Sequence, residues 1–377
     1  MKKVLVIFLI LALMSIGGVN AAELDGNKTM VGDVLSVEIS YENSTDLLSV
    51  GEKNVYINPG NYNPSLINNE NNAIFHFSKG TYNLNIVSTL SNRNFKFIGD
   101  EQGVVLSNLH DNKPTLSFDK SVISFENIQF KYFRFGLSGG STLTLNNVEA
   151  SNINLNGDGG FIYGVSGYNT VNIDKSTFNY NVVSENNAGG TIFLKNGTLN
   201  CYNSNFNNNK AFHAGAIYLD AVTSKFDNCI FNGDVSTAKE AGAIFIKNSV
   251  CNIINSKFQS CSGVYGSALT SLSSTTTVTG SSFSNCKATR QNGGSIYSMY
   301  GSLTFNNCNF DKNTQIYIDD VSYTNNKNVN LYKEEDSVDL INTNTFTPIY
   351  GINKANVISI PSKYNLCDYG YVSSVKN

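Results

Sequence analysis

The residues able to do chemistry in this sequence are few and lie far apart. The histidines are His76, His110 and His213, and the arginines are Arg93, Arg134 and Arg290. An adjacent carboxylate pair stands at Asp319-Asp320. Acid–base catalysis needs titratable groups placed on either side of a reacting bond. No second motif partners the aspartate pair, which reads as the solvated edge of a strand. His213 precedes the small-residue step Ala214-Gly-Ala216 and reads as an exposed turn residue rather than a catalyst. Asp158 lies in Asn156-Gly-Asp-Gly-Gly160, the composition of a tight turn. A calcium-binding repeat would show the Gly-Asp pattern many times, and here it occurs once. No Ser/His/Asp order, phosphate-cradling loop or metal-ligand spacing stands out. The chain is expected to be non-catalytic as it stands, with no cofactor and no metal.

The seven cysteines are Cys201, Cys229, Cys251, Cys261, Cys286, Cys308 and Cys367, and none forms a CxxC pair. Cys229 and Cys308 each precede a phenylalanine by two, where sister positions hold Ser176, Ser204, Ser256 and Ser281. That marks a small-residue position and an inert buried thiol. Cys261 and Cys286 each follow a phenylalanine by three. If sister segments stack in register, these two become neighbours and the candidate disulfide. Asn27, Asn43 and Asn196 open Asn-x-Thr sequons and are candidate glycosylation acceptors.

These positions make sense only within a repeat. A small-residue step leads into an apolar strand at Gly189-Gly-Thr-Ile-Phe-Leu194, Ala214-Gly-Ala-Ile-Tyr-Leu219, Ala241-Gly-Ala-Ile-Phe-Ile246 and Gly293-Gly-Ser-Ile-Tyr-Ser298. Each copy closes on an asparagine three residues before a phenylalanine: Asn203 with Phe206, Asn228 with Phe231, Asn255 with Phe258, Asn307 with Phe310. Successive closing phenylalanines, from Phe178 through Phe283 to Phe310, are 28, 25, 27, 25 and 27 residues apart. A fixed period in this range signals stacked coils. Apolar residues alternate at period two, and no helical period is sustained past the leader. The expected fold is all-β, a single-stranded right-handed parallel β-helix of roughly 25 residues per coil. Ile192, Ile217, Ile244 and Ile296 should form one aliphatic ladder, and the closing phenylalanines an aromatic one. The recurring asparagines suit αL bends, where each amide can bond its equivalent one coil away. Asn127 before Phe130 suggests that the repeat begins earlier, in degraded form.

The 377 residues carry a net charge of −3 and only 15% charged side chains, which argues against a nucleic-acid partner. Residues 1–21 read as a secretory leader: Lys2 and Lys3, an apolar run Val4 to Met14, and a small-x-small site at Val19-Asn-Ala21. Membrane contact is expected only through that leader, if it stays uncleaved. The expected organisation is a cap over 22–54, the β-helix over 55–320, an irregular last coil and linker over 321–360, and a distinct tail over 361–377.

The alternating Gly-Gly or Ala-Gly-Ala-Ile steps and Phe-x-x-Asn segments resemble the repeats of chlamydial polymorphic outer-membrane proteins. With the Asn/Thr/Ser richness, the chain is also similar to the adhesin-like surface proteins of methanogenic archaea. These resemblances imply a pectate-lyase-like solenoid, secreted or held at the cell surface. They imply as partners the glycans or proteins of host or neighbouring cells. Pro361-Ser-Lys-Tyr-Asn-Leu-Cys-Asp-Tyr-Gly370, running on to Lys376-Asn377, resembles the mature start of papain-family cysteine peptidases, although Asn365 and Cys367 depart from that pattern. That resemblance implies a display or pro-region joined to a peptidase whose catalytic segments are not in this chain. A polysaccharide lyase or hydrolase is the remaining alternative, because parallel β-helices host such enzymes too.

Overall fold

A computed structural model describes residues 52–109, 114–290, 294–299, 301–306, 308–310, 315–319, 329–332 and 356–358. All of these belong to one compact unit. The chain is nearly all β and winds as a right-handed parallel β-solenoid of about nine turns, roughly 25 residues each. Among the described residues, its strands form a 21-stranded, a 10-stranded and a 6-stranded sheet.

A middle coil shows the local logic. The strand Ile192–Tyr202 bends at Asn196, so one stretch of 11 residues supplies two limbs. Asn203 and Ser204 turn the chain into a third limb, Asn205–Asn207. Asn208 and Asn209 turn it again into a two-residue fourth limb, Lys210–Ala211. Asn196, Asn203 and Asn208 have φ of 54°, 49° and 56°. Asparagine tolerates this left-handed geometry better than most residues, which is why the bends are asparagine-rich. On the second and third limbs burial alternates residue by residue, as the pleat requires, whereas Ile192, Phe193 and Leu194 of the first limb are all buried.

Both expected ladders are present. The third-limb ladder runs Tyr82, Leu106, Phe130, Ala150, Phe178, Phe206, Phe231, Phe258, Phe283, Phe310. The repeat thus does extend before Gly159. Rings from Phe206 to Phe283 stack at 4.8–5.0 Å and within 9° of parallel, the spacing of the strands that carry them. Ala150 interrupts the column, and Phe161 fills the gap, 5.2 Å from Phe130 and 5.7 Å from Phe178.

The aliphatic ladder has more members than the sequence reading gave: Ile162 precedes Ile192, Leu269 stands between Ile244 and Ile296, and Ile316 follows Ile296. Gly266-Ser-Ala-Leu269 disguises the Leu269 copy, because serine and leucine replace the usual glycine and isoleucine. The asparagine ladder forms in part: Asn228 Nδ2 donates to Asn203 Oδ1 at 2.9 Å and Asn147 Nδ2 to Asn127 Oδ1 at 2.7 Å, whereas Asn203 Nδ2 donates to Asp174 Oδ1 at 2.8 Å and Asn307 lies outside the described residues.

The glycine of each small-residue step has a steric cause. A Cβ on Gly160, Gly190, Gly215 or Gly242 would stand 2.1–2.2 Å from a carbonyl oxygen of the next coil. Backbone stacks directly on backbone here, leaving no space for a side chain.

Strand Lys53–Ile57 is the first rung among the described residues. Most of the cap expected over 22–54 lies outside the described residues. Within them, the short helix Ser65–Asn68 seats Ile67 in the core, with Tyr62 and Leu66 packed beside it. Beyond residue 320, strands Val329–Tyr332 and Asn356–Ile358 pair in parallel with Ser302–Asn306 and Gln315–Asp319. Part of the segment expected as an irregular coil and linker is therefore sheet.

Candidate functional site

An open concavity lies outside the third limbs of the early coils. Most coils join second to third limb with two residues, as at Asn127-Ile128 and Asn147-Val148. The connection Asp100–Gly103 has four, between strands Asn94–Gly99 and Val104–Ser107. That loop lines one side of an open groove of about 970 Å³. Asn127, Gln129, Asn147 and Glu149 lie along its floor, and Lys175, Thr177 and Asn179 line the far side. The groove spans three coil spacings, roughly 14 Å at about 4.8 Å each.

Its side chains are pre-oriented by one another. Gln129 Nε2 donates to Glu149 Oε2 at 3.2 Å, and Ser151 Oγ donates to Glu149 Oε1 at 2.9 Å. The Lys79 backbone N–H donates to Glu101 Oε1 at 3.1 Å. Asp100 Oδ1 lies 2.9 Å from His76 Nδ1, and His76 stacks on Tyr56 with 4.9 Å between ring centres. The lining offers acceptors (Asp100, Glu101, Glu149), amides (Asn127, Gln129, Asn147) and a well-exposed ammonium on Lys175. Such a surface can exchange many hydrogen bonds with a polyhydroxylated or polar polymer.

A second cluster lies outside the first limbs. Phe193, Tyr218 and Phe245 point away from the main core yet are buried together with Ala188, Ala214 and Ala241. Their rings stack at 4.7 and 5.0 Å. His213 belongs to this cluster, which corrects its reading as an exposed turn residue. Its ring packs edge-on against Tyr218 and Phe245, and Nε2 sits 3.0 Å from Glu240 Oε2, both atoms closed off from solvent. Burial disfavours the Glu240 carboxylate. The His213 hydrogen bond, a backbone bond and the charges of His213 and Lys239 outweigh that and hold it below its ordinary value. Burial, then the carboxylates of Asp220, Asp158 and Glu240, push the Tyr218 hydroxyl up to about 12. The pair pins successive long turns together, with both side chains half-buried.

The other expected residues stand apart. Asp158 is a turn residue, its Oδ1 accepting from the Ala188 N–H at 2.7 Å. Arg93 bonds the Glu70 carbonyl and Asn71. Arg134 is partly buried and donates from Nε to Thr115 Oγ1 at 2.9 Å. Arg290 lies over the Tyr265 ring. Asp319 ends a strand, while Asp320, His110 and Cys367 fall outside the described residues. Asn196 is an exposed bend residue, and Asn27 and Asn43 lie outside the described residues.

Cys261 and Cys286 occupy neighbouring coils as expected, buried and as free thiols. Cys261 Sγ donates to the Phe231 carbonyl at 3.6 Å, and Cys286 Sγ to the Ser284 carbonyl at 3.4 Å. A second thiol contact was not anticipated: Cys229 Sγ lies 3.7 Å from Cys201 Sγ. These two sit on different limbs, at unrelated positions in the repeat.

The groove residues escaped sequence reasoning because they come from four coils, and the repeat position that aligns Gln129, Glu149 and Thr177 carries a different side chain in each. The readable signal was the two extra residues before Val104. No family model matches this chain, and neither the characterised proteins nor the solved structures compared with it include a significant match.

Proposed function

We propose that this chain is an adhesin-like β-helix, secreted or displayed at the cell surface, which binds glycans or other polar surfaces without transforming them. The groove of Gln129, Glu149, Lys175 and Thr177 is the observation that carries this reading. A rigid solenoid presents donors and acceptors there at fixed intervals, so little conformational entropy is lost on binding. The resemblance of the repeats to surface-protein repeats and the leader-like first 21 residues support the same reading.

The test is a screen of the full chain against immobilised glycans, followed by titration of each hit with Gln129→Ala/Glu149→Ala. A glycan that binds and loses at least tenfold in affinity in the double variant supports the proposal. Measured polysaccharide cleavage, or hits unaffected by the double variant, would replace it with an enzyme or with another binding face.

The tail motivates a second reading, in which the solenoid is the display arm of a papain-like peptidase. Sequencing the gene past Asn377 decides that point, since the peptidase start requires a Gln and then a Cys-x-x-Cys-Trp segment in frame.

A further inference from the structure

We propose that Asp234 is held as a neutral carboxylic acid in the solenoid core, donating a hydrogen bond to the Phe206 carbonyl. The solenoid then takes up a proton as it folds and is stabilised by acid.

The argument rests on a column of equivalent positions, each three residues after a ladder phenylalanine: Asn181, Asn209, Asp234, Cys261 and Cys286. All five are buried. The asparagines show what the position requires. Asn181 Oδ1 accepts from the Ile153 N–H at 3.1 Å, while its Nδ2 donates to the Ala150 carbonyl at 2.9 Å. Asn209 Oδ1 accepts from the Asn181 N–H at 3.0 Å, while its Nδ2 donates to the Phe178 carbonyl at 3.1 Å. Each side chain thus accepts from an N–H of the preceding coil and donates to that coil's third-limb carbonyl. Cys261 keeps the donor role, toward the Phe231 carbonyl.

Asp234 fills the acceptor role completely. Its Oδ1 accepts from both the N–H and the Nδ2 of Asn209, at 2.8 and 2.9 Å. Its Oδ2 is buried without a partner. By the pattern of the column, Oδ2 belongs against the Phe206 carbonyl, and only the protonated acid has a hydrogen to give there. The groups facing Asp234 are the Asn209 amide on the preceding coil and the thiols of Cys261 and Cys286 on the following ones. None of the ion pairs among the described residues includes it. An ionised carboxylate in that place would be desolvated and uncompensated. Burial accordingly drives the acid well above the usual carboxylate range, against the Asn209 bonds that pull it down.

The sign follows from linkage. Unfolded, Asp234 titrates near 3.9; folded, it holds its proton to a higher pH. Its contribution is fully present below about pH 3.9. Above that, the folding equilibrium falls about tenfold per pH unit until the folded acid ionises. Asp234→Asn supplies the missing N–H donor and removes the proton from the balance.

Denaturant unfolding of the full chain and of Asp234→Asn at pH 5 and pH 8 tests this. The ratio of variant to wild-type folding constants should rise at least tenfold between the two pH values. Parallel profiles would overturn the proposal. Infrared spectra of the wild-type chain at pH 7 give an independent reading that needs no variant. A protonated-carboxyl band should persist when the surface carboxylates are ionised, and its absence would also overturn the assignment.

Discussion

At Gly215 the stack leaves no room for a side chain. A methyl group there would stand 2.2 Å from the Gly242 carbonyl oxygen and 2.6 Å from the backbone of Val235. Both are backbone atoms locked in the stack and cannot swing aside. Gly215→Ala should therefore destabilise the fold by more than about 3 kcal/mol, beyond ordinary overpacking. A thermal melt showing an unchanged midpoint would contradict this. At the same scale, the sequence shows which residue types are present but not which of them meet. His213 is the example, because its aromatic neighbours Tyr218 and Phe245 come from other strands and only the stacking of coils brings them to it.

The bends are the elements that set the cross-section. Asn228 both adopts φ of 55° and bonds Asn203 one coil earlier. Replacing it separates the two contributions. Asn228→Ala loses the amide and keeps the unfavourable left-handed backbone, which should cost about 1–2 kcal/mol. Asn228→Gly loses the amide but relieves the backbone, and should cost less than Asn228→Ala. Chemical denaturation of both variants checks the order, and equal losses would show that backbone strain plays no part. The groove is also an element-scale feature. It depends on the extra length of Asp100–Gly103 beside coils that turn in two residues. The sequence shows that length, but not that the loop lies beside Gln129 and Glu149.

The whole molecule behaves as a sum of coils, each touching mainly its neighbours. Removing residues 206–230, one period of 25, should bring Phe231 onto Phe178 and leave a shorter solenoid. The deletion variant should keep its β-sheet circular dichroism and unfold cooperatively, at a lower midpoint. A collapsed, uncooperative product would mean that the coils are not interchangeable. Asp234 is the reason not to expect strict equivalence, since the deletion sets its acid directly against the Asn181 N–H in place of Asn209.

The fold was determined by the sequence itself. A period near 25, glycine where backbones stack, asparagine at left-handed bends and alternating burial all agree on one structure, and each is a local requirement repeated many times. The degraded early coils and the Leu269 copy were harder to see, because single substitutions hide a short motif. What the tertiary structure alone decided are the juxtapositions across coils: the groove floor, the His213–Glu240 pair, the Cys201–Cys229 contact and the neutral setting of Asp234. Parallel stacking brings residues 20 to 30 positions apart within hydrogen-bond reach. Which side chains then meet depends on the exact length of every turn between them, and a one-residue difference in register would change each pair.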